Sequence, residues 1–343
     1  MRIVGTVLGC RYHAVMELGR RVFDRLRGVV RPAASHGSPA PEQLRWAINS
    51  AATPGRWGDA WGDTHFAISL ARALRRLGQS VQIDRRDTRD RPSRDQDDVV
   101  LTLRGLERVE PRQGQVNLLW VISHPDKVDA GEAGTYDAVF AASPQWAEQR
   151  TTEWGIPITP LLQCTDPEFF RPERTLPEPR GGVLFIGNAR RGLHRPMVEW
   201  AAAAGISPRI YGTGWEQTPL ARFLVSTGVP NDDVGAYYAT ADVVLNDHWE
   251  DMRRQGFVSN RLFDAVACGA RVLSDSIDGC ADLFEGCVVT CGSPAEVRAT
   301  LAVDPDLVWP ARPERLAVAA RIRSEHSFDR RAEVLLRQAL ALG

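Results

Sequence analysis

Between Gln255 and Asp275 the chain reads QGFVSNRLFDAVACGARVLSD: a polar loop, a short helix with Asn260, Arg261 and Asp264 at its mouth, then a buried strand. Backbone N–H groups and the positive end of a helix suit phosphate, and a guanidinium adds a fork of donors. A carboxylate one turn further on can accept from two ribose hydroxyls. Asp264 follows Asn260 by four residues and Arg261 by three, so the three side chains share one helix face. An Arg261–Asp264 ion pair on a solvated face would use the same spacing. It would not explain the small helix interior of Ala265, Ala267, Cys268 and Gly269, which suits close approach to a sheet. The loop leading into this helix carries Asn246, His248, Gln255, Gly256, Phe257 and Ser259, and completes a candidate site for a nucleoside diphosphate.

A second cationic cluster follows the apolar run Val183–Ile186, in GNARRGLHR. Gly187 lets the backbone approach a ligand, Asn188 offers an amide, and Arg190, Arg191 and Arg195 surround the start of the next helix. Cations at a helix N-terminus oppose its dipole, an arrangement that an anion between them would relieve. A solvated basic turn is the alternative, and the spacing is not that of a dinucleotide GxGxxG. In the first half, GRWGDAWGDTH presents Gly62, Asp63 and His65, and VISHPD places His124 just past a strand. Trp57, Trp61 and Trp120 offer flat faces to a sugar ring or to ordinary packing. The acidic triplets at Asp95–Asp97 and Asp304–Asp306 do not end strands, so neither is positioned to present a metal ion. No GxSxG, HExxH or P-loop is present.

Strand–helix alternation must position these residues. The chain has 343 residues, suited to two α/β domains, and its 43% hydrophobic content can fill their cores. Arg45–Asn49, Val81–Ile83, Val99–Leu103, Asn117–Ile122, Ala138–Ala141 and Ile158–Leu162 are the strand candidates of the first half. Asp63 or Thr64 is expected to cap a helix ending at Gly78. Val183–Ile186, Arg209–Tyr211, Val243–Leu245, Arg271–Ser274 and Val288–Val289 are the strands of the second half. The expected organisation is an extension of unknown role (1–43), a first domain (44–165), a linker (166–182), a nucleotide-binding domain (183–312) and C-terminal helices (313–343). Both domains are α/β with parallel, Rossmann-like sheets, and ligands belong in the cleft facing their strand ends.

A net charge of −1 gives no broad attraction to nucleic acid. All but one of the 42 Lys plus Arg residues are arginine, Lys127 being the exception, so anions must be held mainly by guanidinium groups. The six cysteines form no zinc knuckle and read as reduced core thiols of a cytoplasmic protein. No segment approaches the roughly 20 apolar residues of a membrane span. Arg11–Arg31 has helical apolar spacing with many arginines, which fits packing on its own domain or peripheral contact with an anionic membrane face.

Residues 183–300, through VLFIGNARRGLHRPMV, IYGTGW, YYATADVVLND and SNRLFDAVACGARVLSD, resemble the donor half of GT-B fold glycosyltransferases. The likeness is to the group-1 transferases of the glycosyltransferase family 4 type and their CgeB-like branch. WGDTHFAISLARALRRLG and LLQCTDPEFFRP resemble acceptor-domain pieces. The resemblance implies a two-domain GT-B fold and transfer of a hexose-type sugar from a UDP, GDP or dTDP sugar to an acceptor hydroxyl; the thiols and the Arg11–Arg31 segment set the expected location, the cytoplasm or the inner membrane face. It implies no metal or other cofactor, and retention of anomeric configuration. Asp264 in DAVACG stands where the family has a ribose-binding Glu, its shorter side chain requiring a closer ribose. Gln255, Gly256 and Phe257 occupy the family's sugar-contacting Glu-Gly-Phe loop. The diphosphate cations correspond to Arg191 and Arg195, assisted by Arg261, and the acceptor-domain histidine corresponds to His124. His124, Arg191 and Arg195 are thus the expected catalytic groups. A sugar-nucleotide epimerase on the same fold and a non-catalytic nucleotide-sugar-binding protein are the competing readings, and the acceptor (glycan, lipid-linked glycan, protein or small metabolite) is open.

Overall fold

The short apolar runs of the first half become six strands: β1 (Arg45–Asn49), β2 (Ser80–Asp84), β3 (Val99–Arg104), β4 (Val116–Val121), β5 (Ala138–Ala141) and β6 (Ile158–Pro160). The computed structural model describes residues 43–59, 61–176, 181–190, 192, 194–278 and 280–343, except the side chains of Arg56, Trp57 and Ala281. The expectations for residues 1–42, for Arg191 and for the Trp57 ring lie outside the described residues. The second half supplies β7 (Val183–Ile186), β8 (Arg209–Tyr211), β9 (Leu224–Ser226), β10 (Val243–Asn246), β11 (Val272–Asp275) and β12 (Val288–Cys291).

The first sheet has the order β2-β1-β3-β4-β5-β6 and the second β12-β11-β10-β7-β8-β9. Every strand pairing in both is parallel. Strand order reverses between β1 and β3 in one sheet and between β7 and β10 in the other. At such points the connecting loops diverge and open a crevice beyond the carboxyl ends of the strands. Strand β9 escaped the sequence expectation because it is a three-residue edge strand with little buried surface, and so carries almost no apolar signal.

Helix Gly62–Arg76 starts two or three residues earlier than a cap at Asp63 or Thr64 would give. Trp61 is its N-cap, Asp63 lies in its first turn, and Thr64 Oγ1 donates to the Gly58 carbonyl at 2.6 Å instead of capping. The two C-terminal helices part company. Arg312–Glu325 packs on the second sheet's core through Val318 and Ile322. Phe328–Leu342 returns to the first lobe, where Phe328 and Leu335 join Trp46, Phe66, Leu70 and Trp120. Phe328 meets Phe66 edge-on at 4.7 Å between centroids.

The chain therefore crosses between lobes twice, and the crossings are tied together. Thr165 N–H donates to the His326 carbonyl at 2.9 Å, and Phe328 N–H donates to the Thr165 carbonyl at 3.1 Å. The buried Arg331 guanidinium bonds the carbonyls of Leu162, Gln163 and Glu325 and also His326 Nδ1. No helix among the described residues is long and apolar enough to cross a membrane.

Candidate functional site

The turn after β7 and the loop after β10 flank the second sheet's reversal point, and the arginines gather there. Arg190, Arg195 and Arg261 converge from three segments. Arg195 Nη1 bonds Asp247 Oδ1 at 2.5 Å, and its Nε and Nη2 donate to the Asn188 carbonyl. Arg190 reaches the same Asp247 oxygen at 3.3 Å and the His248 carbonyl at 3.0 Å, with its guanidinium 4.0 Å above the Trp249 ring. Arg261 Nη1 donates to Asn246 Oδ1 at 2.9 Å. The Phe185 ring lies against two guanidiniums, Arg195 at 5.3 Å and Arg261 at 5.1 Å.

Among the described residues only one carboxylate, Asp247, is ion-paired with this trio. The Arg195 side chain is 12% exposed and that of Arg190 7%. Burial, opposed by Asp247 but reinforced by the charges of Arg190 and Arg261, lowers the pKa of Arg195 to about 10. Burial likewise lowers that of Arg190. Like charges held together out of water are costly unless an anion joins them.

Gly187 makes the close grouping feasible. A Cβ there would lie 2.9 Å from Arg261 Nη2 and 3.1 Å from the Phe185 ring. The Gly187 carbonyl accepts from Trp215 Nε1 at 2.8 Å, and Asn188 Oδ1 accepts from Thr213 N–H, which fixes the turn.

Below the arginines a closed ring of polar side chains sets the start of helix Asn260–Ala267. Ser259 Oγ donates to Asn246 Oδ1 at 2.8 Å, Asn246 Nδ2 to Ser274 Oγ at 2.9 Å, and Ser274 Oγ to Asp275 Oδ1 at 3.1 Å. Asp275 Oδ1 also meets His248 Nδ1 at 2.6 Å, and His248 Nε2 accepts from Ser259 N–H at 3.1 Å. The backbone donor at Nε2 requires the other ring nitrogen to carry the proton. Burial alone would raise the Asp275 carboxyl; hydrogen bonds from the His248 ring, the His248 N–H and the Ser274 hydroxyl oppose it, and the pKa lies below the ordinary value. Ser259 occupies the N-cap position but its hydroxyl is turned away to Asn246. Among the described residues the backbone N–H groups of Asn260 and Arg261 make no hydrogen bond, so two first-turn donors remain available to an anion.

Asp264 lies further along this helix, 7% exposed. Its Oδ1 accepts from Thr165 Oγ1 at 2.7 Å and its Oδ2 from Asn260 Nδ2 at 2.6 Å. Burial raises its pKa well above the ordinary value, with the Thr165 hydrogen bond opposing. The carboxylate thus takes Thr165 and Asn260, not Arg261, as its partners.

The Gln255-Gly256-Phe257 loop is placed against the first lobe. Ser143 Oγ donates to the Gln255 carbonyl at 2.7 Å, and the fully buried Phe257 ring meets Trp146 edge-on at 5.7 Å. A Cβ on Gly256 would lie 3.1 Å from Gln145 Oε1. Phe257 is thereby committed to interlobe packing, which leaves backbone, not its ring, to face a ligand.

Across the cleft, His124 follows β4 with φ 52° and ψ 51°, a left-handed conformation uncommon for a non-glycine residue. Its Nδ1 lies 3.6 Å from Asp251 Oδ2 of the second lobe, and its ring 5.0 Å from Trp249. Asp63 borders the same corner: a Cβ on Gly105 would lie 3.6 Å from its Oδ2 and 3.0 Å from Ser123 Oγ. Asp63 keeps part of its surface in solvent, yet burial of the carboxyl raises its pKa against the charge of His124. Burial lowers the pKa of His65, opposed by Asp232 and Asp59. Gly62 opens the helix that carries both. Trp120 is in the core, its Nε1 donating to the Leu161 carbonyl, and Asp97 pairs with Arg91 and Arg112. Among the described residues no group of three or more His, Cys, Asp or Glu is arranged to hold a metal ion.

Residues 190–337 match the family model described as glycosyl transferase-like. The fold of the chain is GT-B. The solved structure of AviGT4, a glycosyltransferase involved in avilamycin A biosynthesis, is 18% identical with a TM-score of 0.56, over 87% of this chain and 98% of that one. Sucrose-phosphate synthase from Thermosynechococcus elongatus has a TM-score of 0.58 at 13% identity, over 88% and 100% of the two chains. Anabaena HepE, in complex with UDP-glucose, has a TM-score of 0.58 at 11% identity, over 87% and 100%. No curated protein matches the sequence.

Asp247, Trp249, Asp251, Asp275 and Thr165 are site components absent from the sequence reading. Asp247 and Trp249 sit inside a segment already singled out, and only the arginine excess nearby hinted that a carboxylate was needed. Thr165 carried no local signal.

Proposed function

We propose that the protein transfers a sugar from a nucleoside-diphosphate sugar to an acceptor hydroxyl, with the diphosphate held by Arg195, Arg261 and the first turn of helix Asn260–Ala267. The observation that carries this reading is the half-buried arginine trio with, among the described residues, a single paired carboxylate, beside two helix backbone amides that have no acceptor there. Phosphate oxygens complement both. Asp264, one turn further along the same helix, is the proposed ribose acceptor.

The leaving diphosphate is the group whose charge must be stabilised. Preorganised guanidinium and amide donors accelerate the step to the extent that they fit the departing oxygens better than the bound donor. This arrangement supplies positive charge without a divalent ion. His124, held at the cleft by its backbone conformation and by Asp251, is proposed to contact the transferred sugar. Asp63 and His65 lie on the acceptor side. Uridine nucleotides are the first donors to test because HepE was solved with UDP-glucose, and the family resemblance favours retention of configuration.

The test is a thermal-shift panel of UDP, GDP, ADP and dTDP with their glucose derivatives. A ligand selective for the folded state raises the melting temperature by mass action. One nucleotide family should stabilise the protein clearly above the others. A panel without any stabilising nucleotide rejects the reading. Incubating the selected donor without acceptor then separates transfer from epimerisation, since an epimerase would convert the sugar of the intact donor.

A further inference from the structure

The strongest unassigned connection in the molecule joins the candidate ribose carboxylate to the place where the two lobes are tied. Thr165 belongs to the first lobe's exit segment, 99 residues before Asp264, yet its hydroxyl donates to Asp264 Oδ1 at 2.7 Å. Thr165 is fully buried. Its own backbone makes both hydrogen bonds to the returning crossing, through His326 and Phe328. Arg331 clamps the carbonyls of Leu162 and Gln163 immediately upstream. One residue of the first crossing therefore bonds the returning crossing with its backbone and the nucleotide-side carboxylate with its side chain.

We infer that Thr165 is a positioning residue for donor binding: its hydroxyl fixes the Asp264 carboxylate for the ribose and links nucleotide occupancy to the interlobe crossing. This rests on the nucleotide-sugar reading of the site. Asn260 holds the other carboxylate oxygen from the same helix, so it sets a rotamer without involving the second lobe connection. Among the described residues it is Thr165 whose hydrogen bond joins the carboxylate itself to the crossing.

The hydroxyl also bears on when Asp264 is charged. The groups facing this carboxylate are Arg261 on its own helix, Asp166 and Cys164 on the connector, Tyr238 on helix Asn231–Thr240, and Cys268. Of these Arg261 favours the charged form and Asp166 opposes it, while the Thr165 hydrogen bond favours it. Donor affinity that needs the carboxylate falls as pH drops through its titration. Removing the hydroxyl moves that acid limb to higher pH.

The experiment is calorimetric titration of the full chain with UDP, or with whichever diphosphate the panel selects, from pH 5 to 8. Wild type is compared with Thr165→Val, Thr165→Ser and Asp264→Asn. The near-isosteric Thr165→Val should weaken binding about tenfold at neutral pH, at the lower end for a hydrogen bond to a charged group, and shift the acid limb upward. Thr165→Ser should restore both affinity and limb. If Asp264→Asn loses binding while Thr165→Val matches wild type in affinity and pH profile, the inference fails and the donor-site reading stands. Should Asp264→Asn bind normally, the ribose assignment itself fails. A Thr165→Val loss that serine does not restore reflects packing and overturns the positioning role.

Discussion

At the residue scale, the site is governed by an imbalance of charge. Arg190, Arg195 and Arg261 are drawn together around Gly187, while among the described residues Asp247 alone is ion-paired with them, through Arg190 and Arg195. Asp247 also limits what Arg195 can give a ligand, because one guanidinium nitrogen is already committed at 2.5 Å. Arg261, which bonds the neutral Asn246 amide oxygen and lies against the Tyr238 hydroxyl, has no ion-paired carboxylate among the described residues and is the less encumbered donor. Loss of the Asp264 carboxylate in Asp264→Asn should weaken nucleotide binding about 10- to 150-fold, the range for hydrogen bonds to charged groups; calorimetry at neutral pH reads it. Arg261 and Asp264 were legible in the sequence because helical spacing is local. Asp247 and Thr165 were not, since they act on partners 52 and 99 residues away, a separation that only the tertiary fold closes.

At the scale of elements, two parallel sheets place their loops at one cleft, and the ring Ser259–Asn246–Ser274–Asp275–His248 ties two strand ends to one helix start. A buried polar network is stabilising only while every member is satisfied. His248→Ala should therefore cost about 3–5 kcal/mol, as when a buried charge loses its partner, because Asp275 keeps its burial and loses the imidazole. Denaturant unfolding at neutral pH measures this, and a loss under about 1 kcal/mol, the size of an exposed pair, would show that the ring is not integral. The strands that frame the site were readable from their apolar runs. The first turn of helix Gly62–Arg76 was not, because Trp61 caps it without any side-chain hydrogen bond for a sequence motif to announce. The Gln255–Phe257 loop was identifiable as a unit but not in its direction, since Phe257 is drawn to Trp146 in the other lobe.

At the scale of the whole molecule, the lobes are coupled at the double crossing. His326 sits there as an acceptor from Arg331, and burial, with the charges of Arg331 and Arg321, lowers its pKa to about 3. An unfolded imidazole titrates near 6.5, so between those values the unfolded chain binds a proton that the folded one refuses. Stability therefore falls with pH through this window, by about 2 kcal/mol between pH 7 and pH 5 from this group alone. His326→Asn should flatten that limb in unfolding curves collected at the two pH values. The return of helix Phe328–Leu342 to the first lobe could not be read from its amphipathic pattern, which marks an apolar face without saying which core it covers.

The most direct test of the account is the affinity of the selected nucleoside diphosphate for wild type and for Arg195→Ala/Arg261→Ala, each with and without EDTA. Guanidinium neutralisation of the diphosphate predicts that EDTA leaves wild-type binding intact and that the double variant loses about 100-fold or more, as two charged hydrogen-bond donors are removed. Binding that vanishes with EDTA, or that survives unchanged in the double variant, contradicts it.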